Sequence, residues 1–223
     1  MDSQDSQAIS FFDLDHTLID TDCEWEWKNM LVDKGLAPES HRARQDRYME
    51  LHALGKTPAE EYIAFLMDDF TGRTESEMAD LARENFETRV RGKVFPRALE
   101  EIERITEDGG RPVLLSGSFR PIVEPVAAFL GMGEIVCTEL EIRDGRFTGA
   151  LTSEFCIREG KVKRARDYCR AHGQRLRDAA FYGDSLSDLQ MFEQIGRANA
   201  VNPGPQLERI ARERGWRVIK WKD

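Results

Sequence analysis

The sequence predicts an α/β protein with a mostly parallel sheet core, an inserted all-helical cap domain and a β-hairpin. Three observations lead to this prediction. Short apolar segments alternate with helical segments, a long interval after the first segment contains no convincing strand, and a two-residue turn pattern occurs later in the chain. Alternating strands and helices are typical of parallel sheets covered by helices.

The core elements follow from apolar runs and from helical spacing. Strands are predicted at residues 8–12, 111–115, 135–137, 180–182, 197–200 and 218–221. Helices are predicted between most of them, at residues 97–107, 121–130, 162–172 and 206–214. The segment ELEIRDGRFTGAL departs from this order, because its apolar and polar residues alternate around Asp144-Gly145. An Asp-Gly pair between alternating residues predicts a two-residue hairpin.

The interval 21–95 is predicted to be the helical cap. Residues 57–60 (TPAE) and 74–77 (TESE) have the spacing of helix capping boxes, and the proline of the first would begin its helix. Glycines stand at expected helix ends, at Gly35, Gly55 and Gly72. Residues 1–20 and 96–223 would then form the core domain.

Composition and charge limit the kinds of partner that the protein can have. The chain has 223 residues, of which 33% are charged, and a net charge of −9. This charge does not suit a nucleic-acid partner, which needs a basic face. No apolar run approaches the roughly 18 residues that cross a bilayer, and the acidic start MDSQDSQ does not resemble a signal peptide. The four cysteines form no CxxC pair or zinc spacing, so we expect a cytoplasmic protein with reduced thiols and no membrane partner.

Two carboxylates follow the first predicted strand, in the stretch FFDLDHTLID. Asp13 and Asp15 are two residues apart, so in an extended chain both side chains point the same way. Open α/β sheets bind ligands at the carboxyl ends of their strands. The same stretch could instead cap a helix, because Asp and Thr are common N-cap residues.

Three later segments carry related polar groups. The hydroxyl and N–H groups of residues 116–118 (SGS) could bind a phosphate oxygen or form an ordinary turn. Lys161 could reach an anion or lie in solvent. Asp184 could bind a hard cation together with Asp13, and Asp188 could orient its neighbours, or both could cap a helix. Helix capping by chance explains this combination poorly, because three predicted strands end in polar, mostly acidic turns.

Together these segments resemble the motifs of the haloacid dehalogenase superfamily of phosphatases. Residues 13–18 (DLDHTL) resemble its first motif, DxDxT, and Ser116 and Lys161 resemble its second and third. Residues 183–188 resemble its fourth motif. The helical insertion, the hairpin and the segment AVNPGPQLERIARERGW are similar to the phosphoserine phosphatase branch. The resemblance covers nearly the whole chain and implies a Rossmann-like core.

The resemblance also implies a mechanism. Asp13 would be the nucleophile that forms an aspartyl-phosphate, and Asp15 would protonate the leaving oxygen and later deprotonate water. Mg²⁺ would be held by Asp13, Asp184 and the backbone carbonyl of Asp15. Ser116 and Lys161 would complete the catalytic set.

Further residues would bind phosphate or support the site. The implied phosphate-binding residues are Leu14, Asp15, Ser116, Gly117 and Lys161. Thr17 would support the first loop, and Asp188 would orient the metal ligands without binding the metal itself. Arg158 and Lys163 lie close to Lys161 in the sequence and are alternatives for the third motif.

The segment TDCEWEW, residues 21–27, is predicted to select the substrate. In phosphoserine phosphatases an acidic residue here meets the substrate amine, so the resemblance makes Asp22 and Glu24 candidates. Trp25 and Trp27 could add cation–π contacts, or they could belong to the core of the cap. The arginine that those enzymes direct at the substrate carboxylate is missing from residues 62–66 (YIAFL). This departure favours histidinol phosphate or phosphocholine types of substrate over phosphoserine.

We therefore predict a Mg²⁺-dependent phosphomonoesterase that acts on a small phosphorylated metabolite bearing an amine. Asp15 favours hydrolysis, because esters of alcohols have poor leaving groups that need a general acid. Two alternatives are phosphotransfer to an acceptor other than water and non-catalytic binding of a phosphorylated metabolite. The presence of all the motif carboxylates argues against the second.

Overall fold

The computed structural model describes residues 7–53 and 59–222. The capping pattern predicted at residues 57–60, the helix end predicted at Gly55 and most of the MDSQDSQ segment lie outside these residues. In the described part of the chain, none of the helices combines the length and apolar character that crossing a bilayer requires.

A parallel sheet forms the centre of the protein. The strands of the described residues are β1 (Ile9–Phe12), β2 (Arg111–Phe119), β3 (Glu134–Thr138), β4 (Leu140–Arg143), β5 (Arg146–Leu151), β6 (Ala180–Gly183), β7 (Arg197–Val201) and β8 (Arg217–Ile219). All but β4 and β5 pair in the order β3-β2-β1-β6-β7-β8, with parallel neighbours throughout. The predicted α/β fold is confirmed, and β1 lies inside the sheet between β2 and β6.

Helices cover the sheet and form the inserted segment. They are α1 (Cys23–Asp33), α2 (Ser40–Ala53), α3 (Ala59–Met67), α4 (Glu75–Asn85), α5 (Pro96–Glu107), α6 (Arg120–Phe129), α7 (Arg158–Ala171), α8 (Leu189–Gln194) and α9 (Pro205–Arg214). Thr74 caps α4 as predicted, because its hydroxyl accepts a hydrogen bond from the Glu77 amide at 3.2 Å. The described residues between 21 and 95 contain helices and no strand, whereas the domain boundaries themselves stay a prediction.

The predicted hairpin is formed by β4 and β5. Asp144 and Gly145 have φ angles of 52° and 72°, the left-handed values that a type I′ turn requires. The hairpin contacts the inserted segment through backbone hydrogen bonds. The Gly72 amide donates to the Phe147 carbonyl at 2.8 Å, and the Phe147 amide donates to the Arg73 carbonyl at 3.0 Å. The hairpin thus connects the core with the helical segment.

Apolar side chains pack on both faces of the sheet. In β1, Phe11 belongs to the cluster under α7, whereas Phe12 belongs to the cluster that continues into the helical segment, as the alternation of a strand requires. The ring of Phe70 contacts Trp27 of α1, Phe119 of β2 and Phe147 of the hairpin. This aromatic junction holds the helical segment against the carboxyl ends of the strands.

Candidate active site

The carboxyl ends of three adjacent strands meet at one cavity of about 320 Å³. Asp13 follows β1, Gly117 and Ser118 lie near the end of β2, and Asp184 follows β6. The other predicted core residues that line the cavity are Asp15, Lys161 and Asp188. The structure therefore brings together groups that are far apart in the sequence.

A tight turn after β1 presents the first two carboxylates. The Asp13 amide donates to the Tyr182 carbonyl at 2.9 Å, which continues the pairing with β6 beyond the strand. His16 has a φ of 57°, and the Leu18 amide donates to the Leu14 carbonyl at 2.8 Å, so the chain reverses at once. This reversal leaves Asp13 and Asp15 at the edge of the sheet.

Lys161 is the buried cation of the site. Its Nζ lies 2.9 Å from Oδ1 of Asp13 and 2.8 Å from Oδ1 of Asp188. Burial opposes the charge of this ammonium group, but the two carboxylates outweigh it and raise the pKa of Lys161. Of the two alternatives for this position, Lys163 is exposed and pairs with Glu154, whereas Arg158 also lines the cavity.

Asp15 is held at both carboxylate oxygens. Its Oδ1 accepts a hydrogen bond from the Cys23 amide at 2.7 Å, and its Oδ2 accepts one from the Ser118 hydroxyl at 3.2 Å. Burial raises the pKa of Asp15 well above its usual range, and the negative charges of Asp22 and Asp13 raise it further. A carboxyl group that retains its proton in this way is suited to act as a general acid.

Asp184 and Asp188 add two further carboxylates. Oδ1 of Asp184 accepts a hydrogen bond from the Thr17 hydroxyl at 3.2 Å, so Thr17 connects the first loop with the end of β6. Burial, followed by the charges of Asp13 and Asp188, raises the pKa of Asp184 to about 7. Burial also raises the pKa of Asp188 to about 6. Oδ2 of Asp188 is buried without a hydrogen-bond partner among the described residues.

This concentration of oxygen ligands fits a hard divalent cation. The carboxylates of Asp13 and Asp184 line the same cavity, and positive charge between them would relieve their repulsion. No group of three or more Asp, Glu, His or Cys side chains within residues 7–53 and 59–222 has the arrangement of a metal site. A cation bound here would complete its ligand shell with water or with main-chain oxygen, such as the carbonyl of Asp15 predicted above.

The end of β2 forms the inner wall of the cavity. Gly117 and Ser118 line it, whereas the predicted Ser116 is completely buried and its hydroxyl accepts a hydrogen bond from the Ser118 amide at 3.1 Å. A Cβ atom on Gly117 would lie 2.8 Å from Cγ2 of Ile157, so the wall leaves no room for a side chain there. Ser118 was predicted only as part of residues 116–118 and not as a separate site residue, although its position two residues after Ser116 places it on the same side of an extended chain.

The helical segment supplies the opposite wall. The residues of this segment that line the cavity are Asp22, Glu24, Tyr48, Tyr62, Ile63 and Leu66. Asp22 also caps α1, since its Oδ1 accepts a hydrogen bond from the Trp25 amide at 2.8 Å. Trp25 itself does not line the cavity and is 37% exposed. Tyr48 and Tyr62, which the sequence reasoning missed, are the aromatic residues of this wall.

Glu24 is a buried carboxyl group in this wall, with one oxygen that has no partner among the described residues. Its side chain is buried, and its Oε1 accepts a hydrogen bond from the Phe119 amide at 3.1 Å. Its Oε2 is buried without a partner among the described residues. Burial and the charge of Asp22 raise the pKa of Glu24 to about 8, although the hydrogen bond from Phe119 opposes this. Near neutral pH this carboxyl group therefore retains its proton, and Oε2 becomes a hydrogen-bond acceptor for a bound ligand only after that proton is lost.

Comparisons with known proteins identify the family of this chain. The family model described as haloacid dehalogenase-like hydrolase matches residues 10–193. The histidinol-phosphatase of Neisseria meningitidis serogroup C (strain 8013) is 28% identical over 96% of this chain and 99% of its own length. The phosphoserine phosphatase SerB1 of Mycobacterium tuberculosis is 28% identical over 96% of this chain and 71% of its own length.

A solved structure shows how closely the fold is shared. A protein of unknown function from Bordetella pertussis Tohama I is 31% identical, with a TM-score of 0.88 over 97% of this chain and 100% of that chain. A substrate-bound phosphoserine phosphatase is 19% identical, with a TM-score of 0.70 over 97% of this chain and 94% of that chain. At 19% identity, the similarity to this phosphoserine phosphatase concerns the fold alone.

Proposed function

We propose that this chain is a Mg²⁺-dependent phosphatase that acts through an aspartyl-phosphate at Asp13. The chain belongs to the haloacid dehalogenase-like hydrolase family and is a phosphoric monoester hydrolase. The supporting observation is the buried ion pair between Lys161 and Asp13, inside a cavity that also contains Asp15 and Asp184. The pair orients the Asp13 carboxylate at the point where a phosphate would enter.

The carboxylates of the site would repel a phosphate dianion, so positive charge must be added before the dianion can bind. Asp13 and Asp184, with the carbonyl of Asp15, would hold Mg²⁺, and Lys161 supplies the protein's own cation. When bound, the metal ion neutralises charge on the nucleophile and on the phosphate. Gly117 would let the backbone of β2 approach the phosphate oxygens, because it has no side chain in the way.

Two carboxylates divide the chemistry between them. Asp13 attacks phosphorus, while Asp15, whose pKa is raised by burial, donates its proton to the leaving oxygen. In the second step Asp15 accepts a proton from the water that attacks the aspartyl-phosphate. Lys161 remains between Asp13 and Asp188 and offsets the charge of both.

The opposite wall supports a substrate whose alcohol part carries an amine. Asp22 offers an acceptor for a cation, Glu24 offers a second one once it loses its proton, and Tyr48 and Tyr62 offer aromatic faces. Among the described residues that line the cavity, the lysine and arginine side chains come from α7 at the phosphate end and none from this wall. Phosphate esters of amino alcohols, of the histidinol phosphate or phosphocholine type, fit this wall better than phosphoserine, whose carboxylate would face acidic groups.

Phosphate release by the purified protein tests this proposal. We expect wild-type protein to hydrolyse p-nitrophenyl phosphate with Mg²⁺ and to lose this activity in excess EDTA. Asp13→Asn should be inactive, whereas Asp167→Asn, which changes an exposed carboxylate on α7, should retain wild-type rates. Unchanged turnover in Asp13→Asn would contradict the aspartyl-phosphate mechanism. Phosphate release that falls when alcohols are added, without loss of ester cleavage, would instead indicate phosphotransfer.

The substrate class is tested separately with a panel of esters. We expect kcat/KM for histidinol phosphate or phosphocholine to exceed the values for glycerol phosphate, which lacks an amine, and for phosphoserine. A preference for glycerol phosphate or phosphoserine would contradict the proposed role of the acidic wall without affecting the proposed chemistry.

A further inference from the structure

Ser118 contacts both Asp15 and Cys23. Its buried hydroxyl donates to Oδ2 of Asp15 at 3.2 Å and accepts a hydrogen bond from Sγ of Cys23 at 3.2 Å. The Cys23 amide in turn donates to Oδ1 of Asp15 at 2.7 Å. The carboxyl group of Asp15 is therefore fixed at both oxygens, by two residues that also contact each other.

The two hydrogen-bond partners of Asp15 differ in whether they can accept a proton from the carboxyl group. A backbone N–H can only donate, so Oδ1 of Asp15 must remain an acceptor towards Cys23. A hydroxyl can donate or accept, so the contact with Ser118 persists whether or not Oδ2 carries a proton. Oδ2, next to Ser118, is therefore the oxygen whose contact can both donate to and accept from the carboxyl group of Asp15.

Other hydroxyl groups in and near the cavity are engaged elsewhere. The Ser187 hydroxyl donates to the Ser185 hydroxyl at 3.2 Å, and the Ser116 hydroxyl, which is buried and does not line the cavity, accepts a hydrogen bond from the Ser118 amide. Of the cavity-lining hydroxyls in the described residues, Ser118 is the one with a hydrogen bond to Asp15. The orientation of Asp15 thus depends on a residue of β2 as well as on the start of α1.

We propose that Ser118 is a positioning residue that makes Oδ2 the proton-donating oxygen of Asp15 and holds it towards the leaving group; this rests on the proposed phosphatase function. In the first step Asp13 bonds to phosphorus, the ester P–O bond breaks, and the leaving oxygen keeps the electron pair and takes the proton from Oδ2. In the second step the water oxygen bonds to phosphorus, the bond from Asp13 to phosphorus breaks, and Oδ2 regains a proton from that water.

The dependence of the rate on the leaving group tests this role. Esters with poor leaving groups need the general acid most, so a misplaced acid slows them most. We would measure kcat/KM for substituted phenyl phosphates, from p-nitrophenyl phosphate to phenyl phosphate, with wild type, Ser118→Ala and Ser10→Ala. Ser118→Ala should lose at least roughly tenfold more activity on phenyl phosphate than on p-nitrophenyl phosphate. Ser10→Ala removes another buried hydroxyl, from β1, and should keep the wild-type ratio.

Two further variants keep the test decisive if Ser118→Ala does not fold. Ser118→Thr retains a hydroxyl and should keep the wild-type ratio, whereas Ser118→Cys should behave like Ser118→Ala, because a thiol is a weak donor. Equal losses on both esters, or a shifted ratio in Ser118→Thr, would overturn the inference. A wild-type protein that cleaves none of the esters would overturn the proposed function as well, so the two failures are distinguishable.

Discussion

Lys161 and Asp13 form a buried ion pair, in which Nζ of Lys161 lies 2.9 Å from Oδ1 of Asp13. The two residues are 148 positions apart in the sequence, one in the first turn of α7 and the other just after β1. Asp188 is a second partner of the same ammonium group, at 2.8 Å. One cation therefore stabilises two carboxylates that would otherwise repel each other inside the site, and in the proposed mechanism the same contact orients the nucleophile.

Removing this cation should destabilise the protein strongly. Lys161→Met leaves Asp13 and Asp188 buried without a counter-charge, and breaking a buried pair costs about 3–5 kcal/mol. We expect a loss of this size in the free energy of unfolding, measured by urea denaturation without added metal. Lys163→Met, two residues further along α7, changes an exposed lysine and should shift the value by less than about 0.5 kcal/mol. Equal effects of the two substitutions would contradict the role of the pair.

The placement of Lys161 depends on Gly160 just before it. A Cβ atom at Gly160 would lie 2.1 Å from the carbonyl oxygen of Phe155, so Gly160→Ala must displace the start of α7. We expect a loss of about 1–3 kcal/mol in stability and a loss of at least roughly tenfold in kcat/KM, because Lys161 would move. Gly133→Ala is the matched control, since a Cβ there meets no atom within 4 Å. Wild-type activity in Gly160→Ala would contradict this prediction.

The catalytic end of the cavity could be predicted from the sequence because its chemistry is concentrated in short segments. Asp13, Asp15, Lys161 and Asp184 each stand at a recognisable spacing next to a strand or helix end, and the structure brings them to one cavity. The order of the strands could not be derived in this way, because it depends on which strands pair. The second strand also continues to Phe119, beyond the predicted end at residue 115, because its polar residues are enclosed by neighbouring elements.

The wall that the helical segment contributes to the cavity was predicted less well, for geometric reasons. Successive residues of a helix point about 100° apart, so Glu24 can face the cavity only if Trp25 faces elsewhere. Tyr48 and Tyr62 come from α2 and α3, and their contribution arises from helix packing that no local pattern encodes. Trp27 is buried and its Nε1 donates to Oδ2 of Asp69 at 3.1 Å, so it belongs to the core, as one alternative predicted.

The carboxylates predict how metal-free protein responds to pH. Burial and the charges of Asp13 and Asp188 raise the pKa of Asp184 from its ordinary value near 4 to about 7. The folded state therefore binds more protons than the unfolded state between these values, and its stability must fall as pH rises through them. We expect the Tm of the metal-free protein, measured by differential scanning fluorimetry in EDTA, to decrease from pH 5 to pH 8.

Metal binding should reverse this trend. Mg²⁺ needs ionised carboxylates, so its addition should raise Tm by several degrees at pH 8 and by much less at pH 5, where Asp184 retains its proton. Asp184→Asn removes the titrating group and should reduce both the pH dependence and the gain with Mg²⁺. Asp178→Asn, which changes an exposed carboxylate, should keep both. An equal gain with Mg²⁺ at pH 5 and pH 8 would contradict the assignment of Asp184.

The unpartnered oxygen of Glu24 predicts where selectivity for an amine originates. An N–H-bearing ammonium group beside Glu24, as in histidinol phosphate, favours the ionised carboxylate over the proton that burial otherwise retains, and gains a charge-assisted hydrogen bond to Oε2 worth about 1.5–3 kcal/mol. Glu24→Gln should therefore raise KM for histidinol phosphate roughly 10- to 100-fold. The KM for glycerol phosphate should change much less. Glu26→Gln is the matched control, because Glu26 lies on the same helix, is equally buried and pairs with Lys93 and Thr21 instead of facing the cavity. It should lower stability and leave the ratio of the two KM values unchanged. A parallel rise of both KM values in Glu24→Gln would mean that Glu24 supports the wall and does not recognise the amine.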